Sequence, residues 1–227
     1  MVSLPSLPED VRFQDWQIVE VDYLVIGRVI EDTFDAYTIV FQLYDVLRGE
    51  PIVGYRLTAS GAELRTASHR ISDMIYEELT GLPGVFGTSI AYVSEQQENN
   101  ETRFRLIVSD ADGANPIVVA DSPEPLMSPA WSPDGRRLAY VSFEGAQSSI
   151  YIQTLRTGAR ERVSARAGIN GAPVFSPDGT RLALTLSRSE GNSDIYMLEL
   201  ATQVLTRLTQ HSAIDTEAVW APDGESI

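Results

Sequence analysis

The sequence predicts an α/β amino-terminal domain followed by an all-β series of propeller blades, the propeller being partial. Three observations predict it. A Ser/Ala-Pro-Asp-Gly turn recurs three times, at a period of about 44 residues, which is a blade-length period. A second element, Ile150-Tyr151-Ile152, returns on the same beat as Ile195-Tyr196-Met197. The residues ahead of the repeats follow another pattern, with three strand-like runs and one amphipathic helix.

Taken in order, Tyr23-Leu24-Val25-Ile26-Gly27-Arg28-Val29-Ile30 reads as a buried strand. Residues 37–44 alternate, with Thr38, Val40, Gln42 and Tyr44 on one side and Ile39, Phe41 and Leu43 on the other. A connection containing Gly49 leads to a third strand over 52–58. Ser60 and Glu63 have the spacing of a capping box, so a helix starts there. Its apolar stripe is Leu64, Ala67, Ile71, Met74, Ile75 and Leu79, and Gly81 stands at the C-cap. These elements define a first domain over 1–84, leaving 85–227 to the blades.

The repeats align as Pro129-Ala130-Trp131-Ser132-Pro133-Asp134-Gly135, Pro173-Val174-Phe175-Ser176-Pro177-Asp178-Gly179 and Ala218-Val219-Trp220-Ala221-Pro222-Asp223-Gly224. Pro presets φ, Asp bonds a nearby N–H, and Gly takes a positive φ without strain. Each turn leads to an apolar strand, a polar loop, a third strand and a polar fourth strand, which together make a blade. A single such turn is an ordinary hairpin; three in register are a repeat. A weaker copy comes first, with Ile90-Ala91-Tyr92-Val93 matching Leu138-Ala139-Tyr140-Val141. The count is two and a half to three blades. An unclosed propeller leaves an inter-blade apolar face and a strand edge uncovered, which invites association.

Composition narrows the function. Hydrophobic residues are 43% of the chain, enough for a sizeable core. A net charge of −15 argues against nucleic acid and anionic membrane surfaces as partners. With no cysteine, a disulfide framework, a thiolate metal site and a Cys nucleophile are excluded. No apolar run approaches the roughly 20 residues that span a bilayer. Residues 1–10 have neither the basic nor the apolar region of a signal peptide.

Chemistry-bearing candidates are few. His69 and His211 fall in different domains, so they do not form a metal or catalytic pair. Asp110 and Asp112 resemble a weak calcium motif, but Gly113 follows at once and a hairpin turn is the better reading. Trp131, Phe175 and Trp220 keep the blade period and read as core aromatics. No catalytic residue, metal site or cofactor is expected. The connections entering the repeated strands fall on one face of the propeller. They contain Met127 and Ser128, then Asn170, Gly171 and Ala172, then Thr216 and Glu217. They are either a partner-binding surface or plain inter-blade connections.

At this point the residues resemble a known family. The runs Leu24-Val25-Ile26-Gly27-Arg28-Val29 and Phe41-Gln42-Leu43-Tyr44-Asp45 are similar to the amino-terminal domain of the TolB family. So are the helix Ala67-Ser68-His69-Arg70-Ile71-Ser72-Asp73 and the junction Gly87-Thr88-Ser89-Ile90-Ala91-Tyr92-Val93. The run Pro125-Leu126-Met127-Ser128-Pro129-Ala130-Trp131-Ser132-Pro133-Asp134-Gly135 matches as well. The resemblance implies a six-bladed propeller, of which this chain is a central fragment lacking the signal peptide and the opening of the first domain. It implies a non-enzymatic periplasmic scaffold of the Tol-Pal system, serving outer-membrane integrity and cell division. It implies docking of the lipoprotein Pal, and of colicin segments, on the face carrying Thr216 and Glu217, with Ile169 where the family commonly has His. A contact with TolA is implied through a segment expected to lie outside this chain. The competing reading is the propeller gate of a serine peptidase, which needs a Gly-x-Ser-x-Gly elbow that these residues do not contain.

Overall fold

The computed structural model describes residues 10–187 and 191–227. The chain divides into two compact units, one ending at Thr88 and the other beginning at Ser89.

The first unit opens with a short helix, α1 (Phe13–Ile18). Its six residues are too few to show a period, and none is buried. Three antiparallel strands follow in the order β1 (Tyr23–Thr33), β2 (Ala36–Asp45) and β3 (Glu50–Ser60). Their register sets Val25 beside Leu43 and Leu43 beside Val53, with Gly27, Phe41 and Tyr55 in the matching row. The alternation in β2 buries Ile39, Phe41 and Leu43. A 3-10 turn (Gly61–Glu63) then leads into α2 (Leu64–Thr80). Glu63 accepts hydrogen bonds from the Ser60 backbone N–H at 3.0 Å and the Ser60 hydroxyl at 2.7 Å. Gly81 closes the helix at φ 71°, donating to the Glu77 carbonyl. Along the predicted stripe only Ala67 is buried, and Leu79, in the last turn, is exposed. Asp73 accepts from the backbone N–H of Phe86 and Gly87, which ties residues 86–87 to the helix.

The second unit is antiparallel throughout and contains no helix among its described residues. Its first sheet is β4 (Ser89–Glu98), β5 (Glu101–Asp110) and β6 (Ile117–Ser122). The next is β7 (Leu126–Trp131), β8 (Arg137–Ser142), β9 (Ser149–Thr154) and β10 (Arg160–Ser164). The last is β11 (Asn170–Phe175), β12 (Arg181–Ser187), β13 (Ser193–Glu199) and β14 (Leu205–Arg207). The two four-stranded sheets are complete blades, with strands a to d running outward from β7 and from β11. The matching residues 216–220 lie in no ladder.

Successive blades pack by apolar faces. Ala139, Val141, Ile150 and Ile152 of one meet Phe175, Leu182, Leu184 and Leu186 of the next. Leu138 and Tyr140 pack on Leu106, Ala91 and Val93. The Asp-Gly turns also lock neighbours together. Arg137 stacks on Phe175 at 5.3 Å and donates to the Gly179 carbonyl at 3.3 Å. Arg181 repeats this on Trp220 at 4.8 Å and on the Gly224 carbonyl at 2.8 Å.

Candidate functional site

The ladders decide which end of a blade each loop occupies. The Asp-Gly turns close strands a and b at one end, where the backbone N–H of Ser132 and Ser176 donates to the Arg137 and Arg181 carbonyls, each at 2.9 Å. Strand a therefore begins at the opposite end, beside the loop joining b to c. Two hydrogen bonds fix this: Phe143 N–H to the Pro125 carbonyl at 3.2 Å, and Ser187 N–H to the Ile169 carbonyl at 3.0 Å. All three sequence-predicted clusters lie at that end.

Within each cluster one residue takes a left-handed backbone. Ser128, Ala172 and Glu217 occupy equivalent positions and have φ of 50°, 44° and 56°. In the two laddered cases the cause is a β-bulge. Met127 faces Val141 while Ala130 faces Ala139, so β7 carries one extra residue against β8. Gly171 and Val174 face Thr185 and Ala183 with the same offset. A bulge bends its strand and re-aims a side chain. It also explains Pro129 and Pro173, because a strand tolerates proline where the ladder is already interrupted.

The surface around the bulges is apolar with polar points. Met127 is 52% exposed, and Ile169 and Ile214 are 55% and 69% exposed. Ile214 was not among the sequence candidates. Its signal was available, since Ile169 and Ile214 fall at the same repeat position. The Thr216 hydroxyl lies 3.2 Å from that of Thr185 on the neighbouring blade, and Glu217 is exposed.

Asn170 does not belong to the exposed patch. It is fully buried. Its Oδ1 accepts from the Ser164 hydroxyl at 2.6 Å and the Arg166 N–H at 3.0 Å, and its Nδ2 donates to the Ser148 and Arg166 carbonyls. The side chain ties the inter-blade connection to the loop of the preceding blade. Leu126 marks the same inward position in the blade before, where it is also buried. Gly171 and Ala172 are half-buried, with Ala172 at the bulge.

The remaining candidates make the following local contacts. Gly113 N–H donates to the Asp110 carbonyl at 2.8 Å, and Asp112 accepts from Ala114 N–H at 3.1 Å, forming a hairpin turn. His69 contacts the Phe86 carbonyl, and His211 accepts from Ala213 N–H. The two histidines lie in different units. Phe175 is buried in the inter-blade core, while Trp131 and Trp220 are partly covered at the junctions.

Comparison with known proteins gives a consistent result. A family model described as the TolB beta propeller domain matches residues 76–227. A second, described as the TolB amino-terminal domain, matches residues 1–52. The Tol-Pal system protein TolB of Thioalkalivibrio sulfidiphilus is 49% identical over 170 residues, covering 75% of this chain and 39% of that protein. The protein of the same name from Xanthomonas oryzae pv. oryzae is 51% identical over 172 residues, covering 76% and 39%. The crystal structure of TolB from Acinetobacter baumannii matches with a TM-score of 0.88 at 40% identity, covering 98% of this chain and 57% of that one. The chain matches about two-fifths of the length of these curated relatives.

Proposed function

The chain belongs to the TolB family, and from that premise we propose that it acts as a non-enzymatic periplasmic scaffold of the Tol-Pal system, docking a Pal-like lipoprotein at the bulged ends of its inner strands. The observation that carries this reading is the recurrence of one left-handed residue in three successive repeats, beside exposed Met127, Ile169 and Ile214. Non-glycine residues at positive φ cost free energy, and such strain collects at binding and active sites. Partly apolar patches with a few polar points suit a protein partner. The relatives carry the name of the Tol-Pal system, which directs the choice toward its lipoprotein. Colicin-like segments fit the same surface, and a TolA-side contact completes the expected partners.

The test is calorimetric titration with the soluble domain of a Pal-like lipoprotein. Glu217→Lys is expected to weaken binding by about 2 kcal/mol, roughly 30-fold, if its carboxylate is paired in the complex. Glu161→Lys, on the outermost strand β10, is the control and leaves the affinity unchanged. Equal losses from both variants, or none from either, would remove the inner-strand ends as the docking surface.

A further inference from the structure

The connection from β10 to β11 carries backbone polar groups into a buried corner, where each needs a partner. Asn170, fully buried, supplies most of them. Its Oδ1 accepts from the Ser164 hydroxyl and the Arg166 N–H. Its Nδ2 donates to the carbonyls of Ser148, Arg166 and, at 3.3 Å, Gly168. Its own backbone N–H donates to the Ser148 hydroxyl at 2.8 Å. One residue thus joins the b–c loop of a blade, the end of that blade's outer strand and the connection to the next blade.

Ile169, next to it, is held from the other side by the end of β12. Its N–H donates to the Ser187 hydroxyl at 2.6 Å, and its carbonyl accepts from the Ser187 N–H at 3.0 Å. Gly168, at φ 89°, approaches so closely that a side chain there would run into the Ser187 hydroxyl. The backbone is therefore fixed on both sides of Ile169, while the Ile169 side chain is exposed. The blade before secures the same connection by other chemistry. Pro125, at the position of Ile169, has no N–H to satisfy, and Phe143, at the position of Ser187, has no hydroxyl to offer. The Phe143 N–H still donates to the Pro125 carbonyl, and buried Leu126 fills the position of Asn170. Where the repeat gains a backbone donor it gains the acceptor with it.

Resting on the docking reading above, we propose that Asn170 is a positioning residue, which together with Ser187 presents Ile169 as a preformed apolar anchor for a hydrophobic depression on the protein partner. A few apolar anchors seated in pockets carry most of the energy of an interface. Ordering a loop on binding costs free energy, and an anchor already held in place avoids that cost. Asn170 itself stays buried and touches no partner; it acts through the backbone of Ile169. Two residues that act through one another are coupled, so their substitutions are not additive.

The experiment is a double-mutant cycle on the whole chain, read by calorimetric titration with the soluble domain of a Pal-like lipoprotein. Circular dichroism establishes that each variant is folded. Ile169→Ala is expected to weaken binding about 10-fold. Asn170→Leu, which installs the residue of the blade before, is expected to weaken it by a similar factor of about 10 although it removes nothing from the surface. The double variant should bind no worse than either single one. Ser187→Ala deletes only the hydroxyl that accepts from Ile169, and carries the test if Asn170→Leu does not fold. It should cost about 3-fold, and only while Ile169 is present. Parent affinity in Asn170→Leu and Ser187→Ala, or losses that persist undiminished in the Ile169→Ala background, would overturn the positioning role. If Glu217→Lys still weakens binding in that case, the docking reading stands without it. No loss from any variant, Glu217→Lys included, would remove the docking reading and the anchor together.

Discussion

Arg137 and Arg181 perform the same task one repeat apart, and their chemistry suits it. The chain has no lysine, so its 17 basic side chains are all arginine. A planar guanidinium can stack on an aromatic ring and still donate along its edge, which an ammonium cannot do as well. The clamp works because Gly179 and Gly224 hold positive φ, turning their carbonyls toward the arginine of the previous blade. Within the turn, Asp178 accepts from the Ser176 hydroxyl, the Thr180 backbone N–H and the Thr180 hydroxyl. These bonds, that of Ser176 foremost, lower its pKa to about 2. Asp134 is lowered in the same way by the Ser132 hydroxyl and the Arg136 N–H. A carboxyl depressed on folding adds stability above about pH 4, which is lost as the pH falls through its folded value. Asp178→Asn should therefore melt below the parent at neutral pH, with the gap closing between about pH 4 and pH 2 as Asp178 protonates. A gap that stays constant over that range would show that the charge does not matter.

At the scale of the element, the bulged strand a is the device that repeats. Ala172 sits at φ 44° without the freedom of glycine. Ala172→Gly should leave stability unchanged or raise it by up to about 1 kcal/mol, since relief of strain opposes the added entropy of the unfolded chain. Ala172→Val should cost about 2 kcal/mol, because a branched Cβ is poorly tolerated at positive φ. Urea unfolding of both variants checks the order, and a more stable valine variant would contradict the bulge. This feature could not be read from the sequence, because Ser128, Ala172 and Glu217 share no residue type. What could be read was the punctuation around it. The Pro-Asp-Gly turns and Ile-Tyr pairs placed the blade strands, and Ser60, Glu63 and Gly81 marked the helix ends. Asn170 went astray because it is polar, although its repeat partner Leu126 marked an inward position. The helix α1 was too short to leave a pattern.

For the whole molecule, the repeat period specified the blade architecture. The first unit contributes a three-stranded meander with one long helix, and the second contributes three antiparallel sheets among its described residues. No helix among the described residues is long and apolar enough to cross a membrane. The central claim is that a protein partner docks where the inner strands begin. Hydrogen exchange of the 227-residue chain, with and without the soluble domain of a Pal-like lipoprotein, tests it most directly, because exchange reads each loop separately. The account predicts protection across residues 125–128, 169–172 and 214–217, with the turns at 132–136 and 176–180 unchanged. Protection confined to those Asp-Gly turns, or to the outer strands β10 and β14, would contradict it.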